Sequence, residues 1–200
     1  LVDDGSTDGS LEVLREYERN DARITVLLQE HEYAGAARNK GMAIAKGKYF
    51  SFLDADDIFE PNMLELMVNR AEEEQAEVVI CRSEIFYKEG EYKPLSWALK
   101  DSYLKGVDLR RFSFKDKAAS VAFQSVLGWP WDKLFLRSYV ENNGFKFGLT
   151  RHGNDGPFVF PATYAADRVS VVDAVLVKYR QMGNQISAGS NLSKNPTAGC

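Results

Sequence analysis

The chain has 200 residues, 44% of them hydrophobic, and a formal net charge of −4 at pH 7, which suits a single α/β domain with its own core. The negative charge argues against a nucleic-acid binder, and no apolar run reaches the roughly 18 residues that a membrane-spanning helix needs. Cys81 and Cys200 are too few for a disulfide framework or a zinc site, so a reducing, cytoplasmic location is expected.

The first 83 residues alternate between strand-like and helix-like segments. Strands are expected at 1–2, 24–28, 48–53 and 78–83. Helices are expected at 11–19, at 34–46 with Gly47 as the stop signal, and from Pro61 to Glu74. Strands that alternate with helices through short loops predict an α/β fold with a mostly parallel sheet flanked by helices.

The alternation is lost between residues 84 and 120, where basic and aromatic side chains are interleaved. Two interpretations remain open for this segment. It is either a basic amphipathic surface for lipids or, as we favour, a solvated helical insertion with one side facing the core. The polar residues 189–200 are expected to form a loose terminal tail.

Charge is divided unevenly along the chain. Residues 1–80 contain 18 acidic and 8 basic side chains, whereas residues 81–200 contain 11 and 17. This division is either chance or the sign of an acidic, metal-binding first half and a basic second half. In the second case the basic half would meet an anionic acceptor or the inner face of a membrane.

Acidic side chains follow two of the expected strands. Asp3 and Asp4 follow the first, and Asp54, Asp56 and Asp57 follow the strand at 48–53. Ligand groups in such sheets lie beyond the carboxyl ends of the strands. Three carboxylates so close together raise one another's pKa unless a cation neutralises them. The simplest occupant is a hard divalent metal that is shared with a phosphate-bearing ligand.

Three motifs in the first 60 residues carry a family resemblance. They are VDDGSTD at residues 2–8, GAARNKG at 35–41 and FLDADD at 52–57. In this order and spacing they resemble family 2 glycosyltransferases of the GT-A fold. The resemblance implies that Asp3 or Asp4 binds the base of a nucleotide-sugar and that Arg38 lines the donor pocket. It also implies that Asp56 is the best ligand for Mg²⁺ or Mn²⁺, with Asp54 on the ribose or metal side.

Two departures from the family pattern occur further along the chain. WPWDKLF at 129–135 resembles the family's W-N-K-L-[FY] segment with Asp132 in place of Asn. GND at 153–155 resembles its G-E-D segment with Asn154 in place of Glu. The resemblance implies that Asp155 is the catalytic base. Asn154, which departs from the pattern, is expected either to alter contacts with the acceptor or to alter the pKa of its neighbour. Trp131 is either an apolar wall for the acceptor or a core residue.

The YRQ motif at 179–181 resembles a segment that closes the domain in many members of the family. Arg180 within it either reaches the donor diphosphate or is a surface residue. Residues 1–83 are predicted to be the donor and metal part of the GT-A domain, and 84–188 the acceptor part. Family members begin with a further strand and helix before the segment that matches Val2–Asp4, so the chain is expected to be part of a longer protein.

Together these features predict a metal-dependent, inverting glycosyltransferase of bacterial cell-surface polysaccharide synthesis. Its donor is expected to be a nucleotide-diphosphate sugar, with UDP favoured because it is common among relatives, and its acceptor a glycan or lipid-linked hydroxyl. Two alternatives remain. One is a non-catalytic relative that binds a nucleotide-sugar or glycan. The other, ranked lower, is a phosphatase of the haloacid-dehalogenase type, which also carries D-x-D after an apolar strand.

Overall fold

The computed structural model describes residues 1–96, 98–116 and 124–181. Helices are α1 (Ser10–Asn20), α2 (Tyr33–Ile44), α3 (Met63–Glu74), α4 (Arg137–Asn143) and α5 (Gly156–Tyr164). Strands are β1 (Val2–Asp3), β2 (Leu27–Leu28), β3 (Tyr49–Ser51), β4 (Ile58–Phe59), β5 (Val78–Phe86), β6 (Tyr92–Pro94), β7 (Lys133–Leu136) and β8 (Val169–Arg180). Within these ranges no helix is both long and apolar enough to cross a bilayer.

The strands form one six-stranded sheet and one parallel pair, β1–β2. The larger sheet has the order β3-β7-β5-β8-β4, and β6 pairs with the outer part of β5. β5 runs parallel to β8, but β7 lies antiparallel between β3 and β5. The α/β class is as predicted, whereas the sheet is mixed rather than mostly parallel. A strand from the second half of the chain separates two strands of the first half.

The helices predicted for the first half are confirmed to within two residues at either end. Each predicted strand overlaps an observed one, although the strand predicted at 24–28 is reduced to Leu27–Leu28 and the strand predicted at 78–83 continues to Phe86. The short strand β4 was not predicted. It follows the acidic motif directly and pairs with β8.

The helical insertion expected between residues 84 and 120 is not formed in the described part of that segment. β5 instead continues to Phe86 and turns back into β6. Two short 3₁₀ helices follow, Asp101–Tyr103 and Phe114–Asp116. The aromatic side chains are used for packing, since Phe114 is 1% exposed and Phe112 pairs with the start of β8. Lys117, which belongs to the basic pattern, and the predicted tail at 189–200 lie outside the described residues.

Two hydrophobic clusters lie on opposite faces of the six-stranded sheet. Along β5, Val78 and Ile80 belong to one cluster, and Val79 and Cys81 belong to the other, as the period of a strand requires. α3 covers the second cluster through residues spaced by one helical turn, Met63, Met67 and Ala71.

An aromatic cluster on the first face joins the end of β3 to α5. Phe52 meets Phe147 and Phe158 edge-on, at centroid distances of 4.8 and 5.3 Å. Phe147 and Phe158 are stacked at 4.2 Å. Ring pairs of this kind stabilise beyond the area that they bury. These ring contacts fix the loop after β3 against the start of α5. The loop carries Asp54, Asp56 and Asp57, and the start of α5 carries Asp155.

α2 approaches the segment before α5 more closely than a side chain would allow. A Cβ at Gly35 would lie 1.9 Å from the carbonyl oxygen of Gly148 and 2.9 Å from the Cβ of Asn154. One turn further along α2, the Asn39 amide donates to the Phe147 carbonyl at 3.0 Å and accepts from the Phe147 N–H at 2.9 Å. Gly35 and Asn39 therefore dock α2 onto residues 147–154.

We expect Gly35→Ala to destabilise the protein by about 1–3 kcal/mol, because the added methyl group overpacks this contact. Gly41→Ala on the same helix is the matched control. There a Cβ would lie 3.7 Å from the nearest heavy atom, a Val2 methyl carbon, which is an ordinary contact. Alanine also favours a helix interior over glycine by about 1 kcal/mol. Urea unfolding measures both variants, and equal stability of the two would contradict the close approach at Gly35.

Candidate active site

The loop after β3 separates its three carboxylates into different environments. Asp57 is turned inward and accepts from the Arg180 N–H at 2.8 Å. Burial raises the pKa of Asp57 to about 7. The negative charges of Asp54 and Asp56 also raise this pKa, whereas the hydrogen bond from the Arg180 N–H lowers it. Asp56 is exposed, and the side chain of Asp54 is 35% exposed. Asp57 therefore ties the loop to β8, while Asp54 and Asp56 remain accessible.

Arg180 lies beside this loop and contacts protein groups. Its Nε donates to the carbonyl oxygen of Asp56 at 2.7 Å. Its guanidinium lies 4.9 Å from the ring centroid of Phe86. These contacts hold the acidic loop against the end of β8. Contact of Arg180 with a diphosphate stays a prediction.

Arg38 connects the acidic loop to the predicted catalytic base. Its two terminal nitrogens donate to Asp54 Oδ1 and Asp155 Oδ1, each at 2.6 Å, and one of them also reaches Asn154 Oδ1 at 3.3 Å. The guanidinium is 13% exposed and lies 5.4 Å from the ring centroid of Phe147. The sequence left open whether Arg38 lines a donor pocket or pairs with an aspartate. The structure gives it two aspartate partners.

Asp155 stands at the N-terminal end of α5 with its side chain 24% exposed. Burial raises its pKa to about 6. The charges of Arg38 and Lys133 oppose that rise, and the charge of Asp54 adds to it. A carboxylate with a pKa close to neutrality is suited to accept a proton from a hydroxyl group and to release it again.

Asn154 is buried beside Asp155, with 8% of its surface exposed. Its amide donates to the Thr150 carbonyl at 3.3 Å, and its backbone carbonyl accepts from the Gly148 N–H at 2.8 Å. In this conformation Asn154 holds the loop that presents Asp155. Contact of Asn154 with an acceptor stays a prediction.

Asp4 is used by the protein to begin α2. Its carboxylate accepts from the Gln29 side chain at 2.6 Å and from the backbone N–H groups of Glu32 and Tyr33 at 2.8 and 2.9 Å. Burial alone would raise the pKa of Asp4, but these hydrogen bonds outweigh it and lower the pKa. Asp3 is 6% exposed and accepts from the Ser6 N–H. Contact of either residue with a nucleotide base stays a prediction.

Trp131 is a core residue in this structure, with 2% of its surface exposed. It stacks on Tyr179 at 5.5 Å and 10° and on Trp129 at 5.1 Å and 30°. The position of Trp131 therefore fits the interpretation as a core residue, because no face of its ring is exposed for an acceptor to contact. Trp129 and Tyr179 are the partly exposed members of the stack.

Lys133 is a site residue that the sequence did not single out. It is completely buried, and its ammonium donates to the carbonyl oxygens of Leu127 and Trp129 and to Asp132 Oδ1, at 3.0, 2.8 and 2.6 Å. A Lys next to an Asp within the otherwise apolar WPWDKLF segment was the available signal. Lys133 fixes the backbone of residues 127–132 and places a positive charge near Asp155.

Asp54 and Asp56 fit a divalent cation whose remaining ligands come from a substrate. The described residues contain no group of three or more acidic, His or Cys side chains arranged to hold a metal ion. Mg²⁺, however, is commonly held by one or two carboxylates together with substrate phosphates and waters. Two accessible aspartates on one loop provide that number. A cation bound there would supply positive charge to a diphosphate.

Comparisons with known proteins agree with these motifs. Residues 1–147 match the family described as Glycosyl transferase family 2. The chain is 33% identical over 184 residues to the putative glycosyltransferase EpsH of Bacillus subtilis, covering 90% of this chain and 51% of EpsH. It is 31% identical over 198 residues to the cholesterol galactosyltransferase of Borreliella burgdorferi, covering 98% and 55%. The chain thus spans about half the length of these relatives.

A solved structure confirms the predicted GT-A fold. Residues 1–349 of S. aureus TarS in complex with UDP-GlcNAc superpose with a TM-score of 0.71. The match covers 90% of this chain and 48% of that chain, with 21% sequence identity. At this identity the likeness establishes the arrangement of strands and helices.

We expect Arg38→Met to lower the free energy of unfolding by about 3 kcal/mol, because Asp54 and Asp155 would lose their shared cation while partly buried. Arg23→Met is the matched control. Arg23 also pairs with an aspartate at 2.6 Å, but its side chain is 89% exposed. An exposed pair contributes about 1 kcal/mol or less. Urea unfolding at pH 7 compares the two variants. Equal decreases in the free energy of unfolding would show that the Arg38 bridge stabilises the fold no more than an exposed ion pair does.

Proposed function

The chain belongs to glycosyl transferase family 2, and from that premise we propose that it moves a sugar from a UDP-sugar to an acceptor hydroxyl with inversion at the anomeric carbon. The observation that carries the proposal is the Arg38 bridge between Asp54 and Asp155. A single guanidinium thus joins the loop that would hold a diphosphate to the carboxylate that would take up a proton. TarS, whose fold this chain shares, has been crystallised with UDP-GlcNAc.

In the proposed reaction, Asp155 and Asp54, the two partners of Arg38, have separate roles. Asp155 accepts the proton of the acceptor hydroxyl as its oxygen forms a bond to the anomeric carbon. The bond between that carbon and the diphosphate oxygen breaks, and the nucleoside diphosphate leaves with the bonding electron pair. Asp54 and Asp56 would hold Mg²⁺ or Mn²⁺, which supplies charge that stabilises the leaving diphosphate.

Arg38 has a second task in this proposal. Its guanidinium keeps Asp155 in the charged form that a base requires and holds it in place from the side of α2. Asn154 holds the loop that presents Asp155 through its bonds to Thr150 and Gly148. We further propose that the enzyme works in cell-surface glycan synthesis at the cytoplasmic face of the membrane, with a glycan or lipid-linked acceptor. The uneven charge of the two halves supports this location.

The proposal predicts that Asp155→Asn lowers kcat by about 10²–10⁴-fold, since the amide cannot accept the proton. The measurement is UDP release from UDP-GlcNAc in the presence of Mn²⁺, by the full-length protein. UDP with Mn²⁺ should still raise the melting temperature of the variant, because a ligand stabilises the folded state that binds it.

Asp167→Asn is the matched control for this variant. Asp167 is 65% exposed and pairs with Lys115 at the surface. Its replacement should leave turnover unchanged. Excess EDTA should stop the wild-type reaction if Asp54 and Asp56 hold a metal. Undiminished turnover in Asp155→Asn would exclude Asp155 as the base.

The pH profile is predicted from the environment of the same carboxyl. Burial raises the pKa of Asp155 to about 6, so the base is protonated and inactive below that pH and ionised above it. The value of kcat/KM should therefore fall about tenfold per pH unit below an apparent pKa close to 6. An acidic limb near the ordinary aspartate pKa of about 4 would contradict this environment.

A further inference from the structure

The acidic loop after β3 is a tight turn with a carboxylate at three of its four positions. The Asp57 N–H donates to the Asp54 carbonyl at 3.2 Å, which closes the turn. The carboxylate of Asp54, at the first position, is held by Arg38 at 2.6 Å. Asp56, at the third position, is exposed. The direction of the Asp56 carboxylate therefore depends on what fixes the backbone between Asp56 and Asp57.

Arg180 holds that part of the turn with two donors. Its backbone N–H donates to Asp57 Oδ1 at 2.8 Å, and its Nε donates to the Asp56 carbonyl at 2.7 Å. Because a peptide unit is planar, a held carbonyl fixes the whole unit between Asp56 and Asp57. The Asp56 side chain leaves the backbone at the Cα where that unit begins. The contact with Nε therefore also restrains the direction of the side chain.

Arg180 is itself anchored to the six-stranded sheet. The next residue, Gln181, donates its N–H to the Phe86 carbonyl at 2.9 Å, which continues the pairing of β8 with β5. The guanidinium of Arg180 lies 4.9 Å from the ring centroid of Phe86, which is 1% exposed. Contact with a buried ring and with a carbonyl oxygen limits the conformations of the guanidinium. The turn is thus held by the sheet as well as by its own hydrogen bond.

The neighbouring ties between β8 and the acidic loop act further along the chain. β4 pairs Ile58 with Lys178, and the Lys178 ammonium pairs with Glu60 at 2.6 Å. These contacts fix the chain after the turn. Arg180 instead contacts Asp56 and Asp57 themselves.

We propose that Arg180 is a positioning residue for cation binding, which holds the turn in the shape that lets Asp54 and Asp56 share one divalent cation. The inference rests on the proposed function, in which these two aspartates hold Mg²⁺ or Mn²⁺. It adds a residue that acts on them through the backbone. Both bonds of Arg180 are made to protein atoms, so the effect does not require a diphosphate. A site whose shape is already fixed loses fewer conformations when its ligand binds.

The charge of Arg180 alone predicts the opposite effect. A guanidinium beside carboxylates repels a cation that binds to them, so its removal should tighten cation binding. The removal of a positioning residue should weaken it. A direct contact with the donor diphosphate, the other predicted role of Arg180, would not weaken binding of the cation alone. Cation affinity measured without nucleotide therefore distinguishes the positioning role from both alternatives.

The test compares full-length wild type with Arg180→Met, Arg180→Ala and Lys178→Met. The two Arg180 variants lack the charge and the Nε donor, and Arg180→Met keeps an apolar side chain beside Phe86. Lys178→Met is the matched control, because Lys178 pairs with Glu60 and lies over the Tyr92 ring. Its replacement removes a positive charge from the same strand and leaves both bonds to the turn intact. Binding of Mn²⁺ alone is measured from the electron paramagnetic resonance signal of the free ion, and melting temperatures confirm folding.

We expect both Arg180 variants to raise the Kd for Mn²⁺ about fivefold, the size expected for the loss of one hydrogen bond. Lys178→Met should leave this Kd unchanged or lower it slightly. An unchanged or lower Kd in either folded Arg180 variant would overturn the inference. A wild type that binds no Mn²⁺ in the absence of nucleotide would overturn it as well.

A second titration, of UDP at saturating Mn²⁺, separates the positioning role from contact with a diphosphate. Weaker UDP binding in Arg180→Met with an unchanged Kd for Mn²⁺ would assign Arg180 to the diphosphate and overturn the inference. UDP release from UDP-GlcNAc by wild type is measured in parallel. If Arg180→Met weakens Mn²⁺ binding but wild type releases no UDP, the inference stands and the proposed function fails. If wild type releases UDP and Arg180→Met binds Mn²⁺ as tightly as wild type, the inference fails and the proposed function stands.

Discussion

The arrangement of the site depends on one cation shared by two carboxylates. Arg38 joins Asp54 to Asp155 although the two aspartates are far apart in the chain. Each carboxylate is partly desolvated and would repel the other, whereas the planar fork of a guanidinium can satisfy both at once. α2, the loop after β3 and the start of α5 are held in one geometry by this contact. Gly35 and Asn39 secure it by docking α2 onto the segment before α5.

The same hydrophobic cluster that positions the charged groups also sets their chemistry. Phe147 lies beside the guanidinium of Arg38 and packs against Phe52 and Phe158. Their packing removes water from one side of Asp155, and burial is the main reason that its pKa is raised. A more exposed aspartate would be a weaker base at neutral pH, and a fully buried one would remain protonated. The side chain of Asp155 is 24% exposed, and this partial burial gives its pKa the intermediate value of about 6.

Features set by local sequence were predictable, and features set by distant contacts were not. α3 follows from apolar residues at helical spacing, and β5 follows from a run of β-branched residues. The antiparallel insertion of β7 depends on pairing with β3 and β5, which no local pattern encodes. The acidic motif was singled out by its position after an expected strand, and Asp155 was identified by resemblance. The double pairing of Arg38 and the burial of Trp131 beneath Trp129 arise only when the second half of the chain packs on the first.

The departure at Asp132 has a consequence for the charge balance of the site. Asp132 replaces the Asn of the family's W-N-K-L pattern and forms a fully buried ion pair with Lys133. Burial raises the pKa of Asp132, and the Lys133 charge opposes that rise. A neutral Asn would leave the Lys133 charge uncompensated and so lower the pKa of Asp155 further. Because Asp132 offsets that charge, Lys133 holds the carbonyl groups of Leu127 and Trp129 as part of a buried ion pair.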